Sequence, residues 1–179
     1  MLINITNSQH EAFEPEMLSN INDAVLILDV DGCLRSGGQR LHLLPTQEEI
    51  AHHLEKGTAN LAWKGFNEAA SGDSPLVRNI FVANKFYATH TVVVLTSCTY
   101  SDNTSDTLKD QLNAWGGVKY DMILMRSPSN QTSPVEMKYN FLKVLQSEKE
   151  GANIFSMDDD SGICNMFNEN GVTALKVYY

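Results

Sequence analysis

The stretch Ala24-Val25-Leu26-Ile27-Leu28-Asp29-Val30-Asp31-Gly32-Cys33-Leu34-Arg35-Ser36 decides how this chain is read. Its first five residues are apolar, with the length and character of a strand buried on both faces. The run stops abruptly at two carboxylates, Asp29 and Asp31, followed by Gly32. Buried acids need a cationic partner, because unpaired buried charge is costly. Side chains two apart in extended chain share a face. Both acids therefore address one site at the carboxyl end of the strand, where open α/β sheets bind ligands. Gly32 lets the backbone turn sharply away. Taken alone, Asp-x-Asp-Gly is better explained as an acidic turn; the apolar run before it and the pieces downstream reverse that preference.

Outward from this stretch, four more strands are expected: Thr91 to Leu95, Tyr120 to Met125, Asn153 to Met157 and Val172 to Val177. Helices fall between them. Thr46 reads as an N-cap, with Glu48 and Glu49 in the first turn of a helix to about Lys56. Leu61 to Ala70 has apolar side chains at helical spacing, with Trp63 beside them. Leu76 to Ala88 is amphipathic, with Val77, Ile80, Phe81, Asn84 and Tyr87 three or four apart. Asn103 to Trp115 is ended by Gly116-Gly117. Pro134 opens a helix to about Glu148, and Ser161 to Asn168 forms a short one. Strands alternating with helices imply a parallel sheet with right-handed crossovers. Residues 1–22 are polar and aperiodic, a lead-in. Residues from about 35 to 73 exceed what one crossover needs and read as a small helical cap beside the site.

At 179 residues the chain reads as one domain. No apolar run approaches a membrane span, and no basic-then-apolar N-terminal signal is visible. Cys33, Cys98 and Cys164 are odd in number and lack C-x-x-C spacing. That usage fits a reducing compartment, the cytoplasm, or the host cytoplasm for a protein of viral origin. A net charge of −9 argues against a broad basic face for nucleic acid, though not against a local phosphate pocket. No G-x-x-x-x-G-K-[S/T] loop is present, so no P-loop kinase activity is expected.

Four strand ends carry polar residues suited to one phosphate: Asp29 and Asp31, then Thr96, then Arg126, then Asp158 and Asp159. Lys138 lies near the start of a helix whose N-terminus should face the same edge. Each has a plainer reading alone: Thr96 as a helix cap, Lys138 as a solvated helix residue, Asp158 to Asp160 as an acidic cap on a helix dipole. In this order and spacing the chain resembles the haloacid-dehalogenase (HAD) superfamily of phosphohydrolases. The matching pieces are Asp29-Val30-Asp31-Gly32, Thr96 after Val92-Val93-Val94-Leu95, Lys138, and Asp158-Asp159 after Ile154-Phe155-Ser156-Met157. Within the superfamily it most resembles the 3′-phosphatase domain of phage-type polynucleotide kinase-phosphatase. That likeness rests on Leu124-Met125-Arg126, the Lys138 helix, Met166-Phe167, Gly171-Val172, and Trp63…Phe66…Asp73-Ser74-Pro75.

The resemblance implies a three-layer Rossmann-like α/β fold and a Mg²⁺-dependent phosphomonoesterase working through an aspartyl-phosphate. Asp29 would be the nucleophile and Asp31 the general acid and base. Asp29, the Asp31 backbone carbonyl and Asp158 would hold Mg²⁺. Asp159 would hold a metal-bound water or orient Lys138. Thr96 and Lys138 would bind the phosphoryl oxygens, with Gly32, Ser97 and Arg126 as substrate contacts. The implied partner is a phosphorylated small molecule or a nucleic-acid 3′ end.

Five positions depart from the family pattern. Ser97-Cys98 replaces the usual Gly-Arg, and Cys33 the usual Thr. Pro134 stands where an Asp is frequent, and Asp160 where an Arg is frequent. Arg126 or Arg35 is available to replace the missing arginine. Two other functions stay open: a catalytically weak HAD-fold binding protein, and a small-metabolite phosphatase or phosphomutase. Asp31 favours phosphate chemistry over carbon–halogen cleavage, whose HAD enzymes typically lack an acid there.

Overall fold

The structure, a computed structural model, describes residues 1–178. In chain order the strands are β1 (Leu2–Asn4), β2 (Glu11–Ala12), β3 (Ala24–Leu28), β4 (Arg35–Ser36), β5 (Ser74–Pro75), β6 (Thr91–Thr99), β7 (Met122–Arg126), β8 (Asn153–Asp158) and β9 (Thr173–Lys176). The helices are α1 (Gln47–Glu55), α2 (Ala59–Ala62), α3 (Lys64–Glu68), α4 (Val77–Phe86), α5 (Asp102–Ala114), α6 (Pro134–Glu148) and α7 (Ser161–Glu169). One seven-stranded sheet runs β2-β1-β7-β6-β3-β8-β9. Strands β7, β6, β3, β8 and β9 are mutually parallel, and β3 lies at their centre.

Alternation along β3 sends Val25 and Ile27 to one face and Leu26 and Leu28 to the other. The first face packs on Phe141, Leu142 and Leu145 of α6 and Phe167 of α7. The second packs on Ile80 and Ala83 of α4 and Leu108 and Leu112 of α5. A strand apolar on every residue is thus explained by helices on both sides of the sheet. The three-layer α/β fold expected from the alternation of elements is the one observed.

The lead-in reading of residues 1–22 is corrected. β1 pairs antiparallel with β7, Leu2 opposite Arg126 and Asn4 opposite Leu124, and β2 returns against β1. Ile5 and Leu18 are fully buried. The sheet is therefore mixed at one edge. Strands of three and two residues are too short to show a period, and the partner that fixes β1 in the sheet lies over a hundred residues away.

Two helical faces also differ from their pattern. In α4 the buried side chains are Ile80 and Ala83, while Val77 and Phe81 are 69 % and 61 % exposed. The sheet sets which face is covered, and it selects the i, i+3 row over the bulkier one. The stretch 61–70 divides into α2, α3 and a 3₁₀ turn at Ala69–Gly72. Its buried residues are Asn67 and Ala70, while Leu61 and Trp63 are exposed. It covers a polar site rather than an apolar core. By contrast α1 starts as expected, Thr46 and Glu49 forming a reciprocal capping box.

Between β3 and β6, the pieces β4 and β5 pair antiparallel and frame this covering segment. No helix among the described residues is long and apolar enough to cross a membrane.

Candidate active site

Because β3 and β8 are adjacent and parallel, with Leu28 opposite Met157, their carboxyl ends bring Asp29 and Asp158 side by side. α6 then drives a lysine between them. Lys138 Nζ lies 2.5 Å from Asp29 Oδ1 and 2.6 Å from Asp158 Oδ2, and all three side chains are buried. The other Asp158 oxygen accepts the Asp160 backbone N–H at 3.0 Å. Asp160 in turn caps α7 by accepting from Ile163 N–H at 2.9 Å. Asp159 turns back against Gly32, whose φ is +76°. A Cβ on Gly32 would overlap the Asp159 carboxylate, so this glycine serves both the turn and the close approach. The ammonium is not oriented by Asp159; Asp29 and Asp158 hold it.

Carboxylate oxygens of Asp29, Asp158 and Asp159 lie within 4.8 Å of one another. Three acids facing one ammonium leave an excess of negative charge, and the titration of the group reflects this. Burial pushes Asp29 up, Lys138 pulls it back and Asp158 pushes it further, to about 8. Burial and then Asp158 push Asp159 up to about 6. Burial works to lower the Lys138 ammonium, yet Asp29 and Asp158 raise it above its ordinary value. An oxygen-only donor set of this kind suits a hard divalent cation. The Asp31 carboxylate is not among the three.

A pH dependence follows. Unfolded, these carboxyls ionise near 3.8, whereas folded Asp159 and Asp29 hold protons to about 6 and about 8. Over that window the folded state binds more protons, so stability falls as pH rises through it. Without divalent cation, Tm is expected to drop between about pH 4 and about pH 8. Thermal denaturation across pH checks this, and added Mg²⁺ should restore Tm most at the alkaline end.

Asp31 is partly exposed, borders the cavity described below and pairs with two buried arginines. Arg35 Nε donates to Asp31 Oδ1 at 2.8 Å, and Arg40 Nη2 donates to the same oxygen. Arg40 also grips Asp73, its Nη2 lying 2.6 Å from Asp73 Oδ2, which is 3.3 Å from Arg35 Nε. Gln111 accepts from Arg35 Nη1 at 2.8 Å. The Arg40 guanidinium lies 3.9 Å over the Phe66 ring. Burial tends to raise the Asp31 carboxyl, but Arg35 and Arg40 together hold it below its ordinary value. Arg35 is thus fully engaged and is not free to replace the arginine expected after Thr96. Arg40, Asp73 and Gln111 were absent from the sequence-derived site. The only hint was a pair of arginines shortly after two acids in a chain with 13 basic residues.

The remaining expected contacts lie on β6 and β7. β6 runs on to Thr99, with a register irregularity between Thr96 and Thr99. Thr96 and Ser97 are therefore within the strand rather than in a loop after it. Thr96 is buried, and its Oγ1 accepts the Cys98 N–H at 3.1 Å. Arg126 is 5 % exposed, with Nη1 donating to Asn60 Oδ1 at 3.1 Å and Thr132 O at 2.7 Å. Its Nε has no partner, and no carboxylate pairs with it among the described residues. Burial lowers its titration below the ordinary range. A cavity of about 360 Å³ opens here, with Asp31, Ser97, Arg126, Trp63, Phe66 and Pro134 in its walls.

Cys33 and Cys98 are buried near the site and unpaired. Burial, and then Asp29 and Asp158, raise the Cys33 thiol. Burial and Asp31 push Cys98 up to about 12. Both shifts favour the thiol over the thiolate.

No protein-family model and no curated protein matches the chain. Among solved structures it is similar to a HAD family enzyme from Bacteroides thetaiotaomicron. The wild-type protein in complex with magnesium and inorganic phosphate is 11 % identical, with a TM-score of 0.47, over 86 % of this chain and 93 % of that one. A second structure of the same enzyme is 12 % identical, with a TM-score of 0.45, over 86 % and 92 %.

Proposed function

We propose that the chain is a Mg²⁺-dependent phosphomonoesterase of the HAD type, acting on a nucleotide or a nucleic-acid 3′-phosphate. The observation that carries this reading is the buried group of Asp29, Asp158 and Asp159 around the Lys138 ammonium. Asp29, Asp158 and Asp159 would hold the cation, with the Asp31 carbonyl as a further oxygen donor. The cation supplies charge neutralisation for the phosphoryl oxygens and for Asp29.

Asp29 attacks phosphorus, forming an aspartyl O–P bond as the bond to the alcohol oxygen breaks. Water then takes the phosphoryl group and releases Asp29, dividing one very slow displacement into two. Asp31 gives its proton to the departing alcohol oxygen and takes one from the water. Held as a carboxylate by Arg35 and Arg40, it is ready for the second task; the first requires that a proton reach it. Lys138 offsets the Asp29 charge and meets a phosphoryl oxygen. Thr96 Oγ1 accepts from Cys98 N–H, so its own O–H is left to donate to phosphate. Gly32 and Ser97 would contact the phosphoryl group, Ser97 from the wall of the cavity beside Asp31.

Arg126 supports the finer choice of substrate. A buried guanidinium without a carboxylate suits a second anionic group, such as the next phosphate of a nucleotide chain. Trp63 and Phe66 in the same cavity offer rings against which a base can lie. The −9 net charge restricts the contact to an end rather than a long tract. Three buried free cysteines are consistent with a cytoplasmic setting. The rival reading, a HAD-fold binder without turnover, draws on the pairing of Asp31 with Arg40.

Hydrolysis of p-nitrophenyl phosphate, with Mg²⁺ and with excess EDTA, separates the two. Metal-dependent release of p-nitrophenol is expected. Its absence at all pH values, with the fold intact, leaves the binding-protein reading. A panel of 3′-phosphorylated oligonucleotides, nucleotides and sugar phosphates then tests the substrate.

A further inference from the structure

A second cavity, of about 550 Å³, lies between α2–α3 and the start of α5. Asn60, Asn67, Thr99 and Gln131 stand in the walls of both this cavity and the one over Asp31. The far wall holds Thr58, Leu61, Tyr100 and Ser129. Its charged residues are Lys64 and Glu68, 3.9 Å apart and both exposed. The interior of this space is therefore uncharged and largely apolar, with a few polar side chains in its walls.

The shared wall contains a side chain without a partner. Asn67 is 8 % exposed, and its carboxamide makes no hydrogen bond to any described residue. Its neighbour Asn60 is the contrast: its carboxamide accepts from Arg126 and donates to Pro128 O and Asn130 O. The Asn67 amide atoms are not closed off from the two cavities, so a donor and an acceptor are left for whatever enters them. Asn67 borders both cavities, so a ligand entering either one meets it. A carboxamide offers a donor and an acceptor side by side, a match for the paired donor and acceptor on a nucleobase edge.

We propose that the second cavity is a leaving-group subsite, in which Asn67 hydrogen-bonds the neutral heterocyclic edge of the alcohol released from the phosphate ester. This deepens the phosphatase reading and rests on it for the position of the phosphate. Asn67 is then a specificity-determining residue, favouring esters whose alcohol reaches past the first cavity. The two volumes together fall in the range of a site for a drug-sized ligand, well beyond what a phosphate needs.

The test compares adenosine 3′-monophosphate with p-nitrophenyl phosphate. In the wild type, kcat/KM should favour the nucleotide. Asn67→Leu should lower that preference by about tenfold, through KM for the nucleotide. Leu61→Trp changes an exposed side chain and fills the chamber while retaining Asn67, so it should lower the preference too even if Asn67→Leu folds poorly. Equilibrium binding of adenosine, the dephosphorylated alcohol, to Asp29→Asn protein gives a readout without turnover. Adenosine binding weakened by Asn67→Leu or Leu61→Trp upholds the subsite even if no phosphate ester is hydrolysed, an outcome that overturns the phosphatase reading alone. An unchanged substrate preference and unchanged adenosine binding in both variants overturn the subsite.

Discussion

Asp29→Asn is expected to lower kcat for p-nitrophenyl phosphate by at least about a thousandfold, as removal of a covalent nucleophile does, while Tm at neutral pH holds or rises. The two halves have one cause. Asp29 sits where burial and Asp158 disfavour its charge, so folding at neutral pH carries the cost of keeping it protonated, a cost the neutral amide does not have. Its carbonyl oxygen remains able to accept from Lys138. What disappears is the charged oxygen that must bond to phosphorus. Steady-state kinetics beside thermal denaturation of the same preparation check both halves. A variant that keeps more than a tenth of wild-type kcat would remove Asp29 from the chemistry.

Lys138→Met should act in the opposite sense on stability. Methionine roughly matches the buried volume, so cavity formation is small, but Asp29 and Asp158 lose the ammonium that touches both. Breaking a buried ion pair by removing one partner costs about 3–5 kcal/mol. The loss should be largest above about pH 8, where both acids must ionise, and smaller near about pH 5, where Asp29 keeps its proton. Chemical denaturation at the two pH values measures the difference. Added Mg²⁺ should recover part of the loss by taking over the charge that Lys138 balanced.

The residues on which these two expectations rest were legible before any coordinates. Asp29 follows a run of apolar residues that only a buried strand explains, and Asp158 follows another. Adjacent parallel strands necessarily bring their ends together. Lys138 was legible by its place in the order of motifs more than by its own surroundings. Other parts were hidden for physical reasons. The pairing of Leu2–Asn4 with β7 is non-local and spans three residues, so no period announces it. Arg40 and Asp73 are 33 residues apart and meet only because β4 and β5 pair, each being two residues long. The pattern misled at Val77 and Phe81, where bulk at helical spacing faces solvent, and at Leu61 and Trp63, where a segment over a polar site buries asparagine instead. Gly32 was read as a turn residue. That its missing Cβ also makes room for Asp159 is visible only when β3 and β8 lie side by side.

The four-residue group of Asp31, Arg35, Arg40 and Asp73 has a consequence for how reactants come and go. It ties the segment over the cavity beside Asp31 to the same loop that carries Asp31. Swinging that segment outward would separate two buried guanidiniums from their counter-charges, an expensive hinge. A rigid cover of this kind fixes the shape of what is admitted in advance, so selectivity is built into the architecture rather than imposed by closure.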